Sequence, residues 1–239
     1  MYNYREGKKR VEEIIKTDLE VIENNKLPKS ESLTFKNSYY SWISSIFIDI
    51  RDSTNLFSKE NNEDISKIMK SFTSELIEIL RKNDNYREIG IRGDCVYSIY
   101  TTPLIDDFYD LYILACYCNT YMNMLNELLK ENDLPQIKAG IGIGASQTLV
   151  IKAGRENVGI NDKIWIGDAV IDASNLSSIA NTTYKDNIVI STIFYNNLIR
   201  YSENEKRFFR KIRSKYGYCY AGNIIMPEFN DWINNGMKD

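Results

Sequence analysis

The sequence contains no histidine among its 239 residues. Histidine-based triads, imidazole metal sites and histidine acid–base catalysis are therefore excluded. The four cysteines, Cys95, Cys116, Cys118 and Cys219, follow neither CxxC nor zinc-ligand spacing. Cys116 and Cys118 fall inside a helical pattern and read as small buried side chains. No apolar run approaches the roughly 18 residues that cross a bilayer. The polar start Met1-Tyr-Asn-Tyr-Arg-Glu lacks a signal-peptide core, so the expected compartment is the cytoplasm, with no membrane partner. Positive charge is not in excess either. Thirty Lys and Arg against 33 Asp and Glu leave a net charge of −3, which excludes a general electrostatic grip on nucleic acid. Any chemistry rests on carboxylates, Arg, Lys, backbone amides and a recruited ion.

What is present is ordinary for a folded chain: 43% apolar and 26% charged residues, at a length that supports one sizeable core. Residues 1–27 read as a charged helix with Val11, Ile14, Ile15, Leu19 and Ile22 on one face, closed by the linker Leu27-Pro-Lys-Ser-Glu-Ser-Leu33. Residues 44–50 read as a central strand, 61–82 as a helix and 86–100 as a hairpin turning at Arg92-Gly93-Asp94. A helix over 107–131 shows a seam from Phe108 to Leu129 in steps of three and four. Residues 137–145 and 149–153 read as two strands joined by a turn. A polar loop to Asp162, a strand over 163–166 and a helix over 168–181 follow. A strand at 187–191, a short helix near 192–199, a basic connector and a strand over 216–225 complete the order. Strand, helix, hairpin, helix, strand is an α+β, ferredoxin-like βαββαβ arrangement with helices on one face of an antiparallel sheet. The fold alone leaves the function open.

Two acids stand out. Asp49 interrupts an apolar strand, where a carboxylate is costly unless it is paired or bound to a cation. Asp94 sits at the tip of the following hairpin, which a βαββ unit brings beside the end of the first strand. Two carboxylates and a backbone carbonyl form an open site for Mg²⁺ or Mn²⁺. In the plainer reading Asp94 caps its turn and Asp49 lies at a solvated strand end. Arg51-Asp52-Ser53-Thr54 follows where the strand enters a helix. Its free amides suit phosphate, and an N-cap by Asp52 or Ser53 is compatible with that. Gly140-Ile-Gly-Ile-Gly144 lacks the spacing of a phosphate loop and reads as a strand whose glycine face admits a helix or a partner. Arg155 and the cluster from Lys206 to Arg213 read as solvated charge, open to recruitment by a triphosphate.

Four segments together resemble the class III nucleotide cyclase catalytic domain. They are Phe47-Ile-Asp-Ile-Arg-Asp-Ser-Thr54, Arg92-Gly-Asp-Cys-Val-Tyr-Ser-Ile-Tyr100, Ile137-Lys-Ala-Gly-Ile-Gly-Ile-Gly144 and Trp165-Ile-Gly-Asp-Ala-Val170 with Ala173 and Leu176. The resemblance spans roughly residues 42–225. It implies an N-terminal helix and linker over 1–41 and a nucleotide cyclase catalytic domain over 42–239. It also implies two divalent ions held by Asp49, Asp94 and the Ile50 carbonyl, and a homodimer with shared active sites. One subunit supplies metal and phosphate contacts, the other base and ribose contacts. The substrate is a nucleoside triphosphate.

The departures narrow that substrate. The Lys or Glu that reads a purine corresponds to Gly90, the second base-reading position to Ile164, and the Asn and Arg of the reaction centre to Ile171 and Asn175. Arg92, two residues before Asp94, faces the side left open by Gly90 and can donate to O2 or O4 of a pyrimidine. Tyr39, Tyr40 and Trp42 are candidates for stacking on the base, or equally for core. This pattern resembles the pyrimidine cyclases of Pycsar antiphage systems. It implies UTP, less favourably CTP, as substrate, with Mn²⁺ favoured over Mg²⁺. The cyclic nucleotide is then a second messenger for a separate cyclic-nucleotide-sensing effector, acting by abortive infection. The expected catalytic set is Asp49, Asp94 and Asn175. The substrate-binding set is Arg51, Asp52, Ser53, Thr54, Arg92 and Ile164. Two other readings stand beside it: an adenylate or guanylate cyclase with an atypical base pocket, and an inactive cyclase-like dimerisation domain.

Overall fold

The computed structural model describes residues 1–29, 32–155, 158–182 and 184–238. Among them, nine strands form one sheet in the order β3-β4-β2-β5-β7-β9-β8, with β1 on β2 and β6 on β5. The central unit is β2 (Asn37–Ile50), α2 (Ser53–Lys59), α3 (Asn62–Leu80), the hairpin β3 (Tyr86–Arg92) and β4 (Cys95–Thr101), α4 (Ile105–Glu131) and β5 (Ala139–Arg155). That is the expected βαββαβ order. The rest comprises β6 (Ile160–Ile166), α5 (Asp168–Ile179), β7 (Ile188–Ser191), α6 (Thr192–Tyr201), β8 (Arg210–Ser214), β9 (Gly217–Gly222) and α7 (Pro227–Asn234). At the start lie α1 (Tyr4–Lys16) and β1 (Glu20–Glu23).

Strand alternation divides the sheet into two unlike faces. Ile46, Ile48 and Ile50 of β2, Val96 and Tyr100 of β4, and Ile141 and Ile143 of β5 point to one side. There they pack on Ile68, Phe72 and Leu76 of α3, on the α4 seam, and on Phe194 and Leu198 of α6. Every seam position from Phe108 to Leu129 is buried, and Cys116 and Cys118 lie among them as small core side chains. The α3 start is capped by Asn61, whose side chain accepts from the amides of Glu63 and Asp64.

The opposite face takes one helix, α5, where the expected arrangement had all helices on one side. The reason lies in the three glycines of β5. A Cβ on Gly142 would stand 2.1 Å from the Ala173 carbonyl oxygen and 2.2 Å from the Ser177 nitrogen. On Gly144 it would stand 2.2 Å from the Ala169 carbonyl, and on Gly140 2.5 Å from that of Ser177. The helix backbone therefore lies directly on the strand, with Ala169 and Ala173 buried at the contact. The Gly-x-Gly-x-Gly run is a helix seat, as its alternation suggested, and no phosphate loop.

Several boundaries differ from the periodicity reading. Residues 20–23 leave the expected long helix to form β1, which pairs in parallel with Asn37–Tyr40. Val11, Ile14 and Ile15 of α1 are exposed. Of the expected linker, Ser30 and Glu31 lie outside the described residues, and Leu27 and Leu33 are buried in a small second cluster. β2 begins at Asn37 and runs through residue 42 without interruption.

β5 is one 17-residue strand, with no turn near 146–148. Its whole first part pairs with β2, and Ser146, Thr148 and the α5 start satisfy one another there. The Ser146 hydroxyl accepts from the Ala169 amide at 2.9 Å and lies 3.1 Å from that of Thr148. Of the expected polar loop, Glu156 and Asn157 lie outside the described residues, and 160–162 belong to β6, whose pairing with β5 reaches Arg155. The basic connector contains β8, whose lysine and arginines pair with β9. A short separate helix, α2, precedes α3.

Since backbone faces backbone at Gly142, no side chain there can move aside. Gly142→Ala is expected to lower unfolding stability by about 1–3 kcal/mol, the usual cost of overpacking, as measured by urea denaturation.

Candidate active site

The hairpin tip and the end of β2 meet as a βαββ unit requires. β2 and β4 pair from Ile43↔Thr101 to Asp49↔Cys95, and the Ile50 amide donates to the Asp94 carbonyl at 3.4 Å. Gly93, at φ +62°, allows the two-residue turn that brings Asp94 around. Both aspartates are half-buried. Burial raises the Asp49 carboxyl above its ordinary value; Arg51 pulls it down, and the nearby Asp94 charge pushes it up again.

Arg51 is the present counter-ion. Its Nη2 pairs with Asp49 Oδ2 and donates to the Asp49 carbonyl at 2.9 Å; its Nε reaches the same carbonyl at 3.1 Å. Nη1 donates to the Ser178 carbonyl at 2.8 Å, tying the end of β2 to the last turn of α5. Asn175 lies one turn earlier on that helix and is half-buried. Asp49, Ile50, Arg51 and Asp94 thus gather around the C-terminal end of β2, and Asn175 lies on the helix whose end Arg51 reaches.

Asp52 follows at φ 56°, a left-handed conformation uncommon outside glycine. It occupies the N-cap position of α2, yet its side chain makes no cap bond and instead accepts from Asn55 Nδ2 at 2.9 Å. The expected side-chain cap is absent for that reason. The amides of Asn55 and Leu56 donate to the Asp52 carbonyl, which leaves those of Ser53 and Thr54 directed out of the helix start.

The base-side residues form a second group. Arg92 is exposed near the hairpin tip. Gly90, opposite Tyr97 in the β3–β4 ladder, borders a cluster that sequence reasoning missed. The Tyr97 hydroxyl donates to Glu88 Oε1 at 2.7 Å, and Trp165 Nε1 donates to Glu88 Oε2 at 2.9 Å. Lys163 Nζ donates to the Arg87 carbonyl at 2.7 Å, so β6 leans across onto β3. Ile164, between Lys163 and Trp165, projects from the other face of β6 and is 45% exposed. Within one protomer the structure does not bring it to the two aspartates. Tyr40 and Trp42 lie on the sheet face away from Asp49; Tyr39 shares the face of Asp49 but is buried in the second cluster, against which Tyr97 and Trp165 pack, and is a core side chain. A clue to the missed group was in the sequence: Glu88 is an acid two residues before Gly90, on the same face of a strand.

Comparisons with known proteins agree with this geometry. No family model matches the chain. A uridylate cyclase of Treponema porcinum is 49% identical over 238 residues, covering all of this chain and 83% of the relative. The chain belongs to the uridylate cyclase family. A second uridylate cyclase, from Gulbenkiania mobilis, is 28% identical over 97% of this chain and 95% of its own. Among solved structures, the adenylyl cyclase CyaB of P. aeruginosa shares the fold at a TM-score of 0.63 and 19% identity, over 77% of this chain and 95% of its own. The guanylyl cyclase Cya2 does so at 0.62 and 17%, over 79% and 95%. The sheet with its βαββαβ core is thus the class III nucleotide cyclase fold, and membership in this family makes the chain a nucleotide cyclase.

The donor set fits a hard divalent cation: two adjoining carboxylates whose mutual repulsion and burial penalty a cation would offset. Among the described residues no group of three or more acids and cysteines is arranged to hold a metal ion by itself, so two carboxylates and a carbonyl would leave coordination positions for substrate oxygens. Mn²⁺ is therefore expected to raise the thermal midpoint of the wild type, corresponding to about 2.7 kcal/mol at a hundredfold excess over its dissociation constant. Asp49→Ala and Asp94→Ala are expected to lose that shift in a melting assay. A carboxyl held above its ordinary value binds a cation less as pH falls through that raised value. Its neutral form favours folding at low pH, and that contribution is lost as pH rises through the same point. Cation affinity and metal-free stability should accordingly change in opposite directions between pH 7 and the acid range.

Proposed function

We infer that this chain is a uridylate cyclase that converts UTP to 3′,5′-cyclic UMP and diphosphate. The observation that carries the reading is the meeting of Asp49 and Asp94 at the end of β2, in a chain whose purine-reading position is Gly90. Asp49, Asp94 and the Ile50 carbonyl would hold two divalent ions, Mn²⁺ in preference to Mg²⁺. When bound they offset triphosphate charge and make the 3′-hydroxyl more acidic.

The chain's own groups do the rest. Arg51, beside Asp49, offers its charge to the polyphosphate, and the Ser53 and Thr54 amides, with Asp52 shaping the turn, receive phosphate oxygens. Asn175 supplies a donor to the reaction centre, and Arg92 donates to a base carbonyl. Alignment brings the 3′-oxygen onto the α-phosphorus. That bond forms as the bond to diphosphate breaks, and the hydroxyl proton leaves to solvent.

The active unit is a homodimer with shared sites, one protomer offering the aspartates and its partner the base side with Ile164. Support comes from uncovered apolar side chains: Ile160, Ile164 and Ile166 on one face of β6, and separately Ile171 of α5, are 45–73% exposed. Ile171 stands where related cyclases place Asn. The division expected at residue 42 falls inside β2, so the catalytic domain begins no later than Asn37, with α1 and the edge strand β1 before it. Resemblance to Pycsar cyclases supports a role in antiphage defence, where cyclic UMP activates a separate effector in the cytoplasm.

Purified protein incubated with Mn²⁺ and each of ATP, GTP, CTP and UTP tests the reading by product mass. Cyclic UMP is expected to dominate; preferential cyclic AMP or GMP would overturn it. Asp49→Ala and Asp94→Ala are expected to lower turnover about 100-fold or more while the dimer stays folded.

A further inference from the structure

A cavity for a base can be made small by deleting a side chain only if something else takes the space. At Gly90 that something is visible. A Cβ built there would lie 2.6 Å from Tyr97 Oη, 2.7 Å from Cζ and 2.8 Å from Cε1. The end of the tyrosine ring therefore occupies the volume that a side chain at residue 90 would enter. Gly90, Arg92 and Glu88 of β3 share a sheet face with Tyr97 and Cys95 of β4 and with Phe47 and Asp49 of β2. This is the face on which the purine-reading position of related cyclases lies.

The ring has little freedom to swing away. It stacks on Phe47 with centroids 5.2 Å apart and planes at 21°. Its hydroxyl is tied to Glu88, and Glu88 is held from the other side by the Trp165 indole. Burial, with the bond to Glu88, pushes the phenol up to about 12, so the ring is neutral at working pH. A hydroxyl has one proton, and here the Glu88 carboxylate takes it. The remaining lone pairs accept only, and the Arg92 charge lies close enough to act on the phenol.

We propose that Tyr97, held by Glu88 and Trp165, is the specificity-determining residue of the base pocket: its ring excludes purines, and its oxygen accepts from the N3–H of uracil beside a carbonyl that takes Arg92. This rests on the uridylate cyclase reading and deepens it. Glu88 and Trp165 are positioning residues, since they act through the tyrosine. The interaction separates the pyrimidines, because N3 of cytosine carries no proton and would meet an acceptor with an acceptor.

The test is a specificity panel of kcat/KM for UTP, CTP, ATP and GTP on three variants. Tyr97→Phe keeps the bulk and loses the acceptor; UTP turnover is expected to fall about tenfold, with purines still excluded. Tyr97→Ser opens the gap, and the purine-to-UTP ratio is expected to rise at least about tenfold. In Glu88→Gln the Trp165 bond can remain while the amide donates to Tyr97, turning the phenol proton toward the base. Preference is then expected to shift from UTP toward CTP, an inversion that mere loosening of the fold would not produce. Unchanged ratios across folded Tyr97→Phe and Glu88→Gln would overturn the proposal. Should wild-type protein make no cyclic UMP, the uridylate cyclase reading fails by itself. Calorimetric Kd values for the four triphosphates on the same variants then decide the role of Tyr97: an unchanged order overturns it, and a changed order supports it.

Discussion

A carboxylate at the end of a central strand is a debt that the fold has to settle. Asp49 sits where β2 passes between β4 and β5, next to the Asp94 turn, and both burial and the neighbouring charge work against its ionisation. Hydrophobic packing cannot offset that cost at the same place. The residue demands a cation, and the protein supplies Arg51, whose guanidinium also reaches the α5 end through the Ser178 carbonyl. One unfavourable group thereby links the strand, the hairpin tip and the helix that border the site.

The second constraint is the division of labour between the sheet faces. One face is an ordinary core of isoleucine, leucine and phenylalanine under α3, α4 and α6. The other is thinned by glycines at 140, 142 and 144 so that α5 can lie directly on β5. That close seat leaves the end of β2 around Asp49, and β3 beside it, half-buried or exposed on the same face. The same device recurs at Gly90, where the absent side chain is replaced by a tyrosine arriving from the adjacent strand. In both places a glycine hands its volume to a neighbour, and what differs is the neighbour: helix backbone in one, a hydrogen-bonded phenol in the other.

Much of this could be read from the chain alone. The α4 seam is a long run of regular spacing, and periodicity over about six turns outweighs any local ambiguity. Asp49 and Asp94 stood out because an acid in an apolar strand and an acid at a hairpin tip are each anomalous, and βαββ topology implies their meeting. The misreadings share a cause. β1, β8 and the junction within β5 are decided by the strand each one pairs with, and polar residues such as Ser146 and Thr148 look like a turn until their hydroxyls are seen bonded to one another and to the α5 start. The end of α1 likewise depended on β2 being available for parallel pairing, since Leu19 and Ile22 suit either helix or strand.

By itself the sequence determined the order of the core elements, the buried helix seam, the glycine seat and the two acids, because each follows from local chemistry or from spacing along the chain. Only the tertiary structure decided that Arg51 is the counter-ion of Asp49, and that Ile164 turns away from its own chain's aspartates. It alone showed that Glu88, Tyr97 and Trp165 form one hydrogen-bonded unit over Gly90. Glu88 and Trp165 are separated by 77 positions. No periodicity connects residues so far apart; their contact exists because β6 folds back across the sheet onto β3.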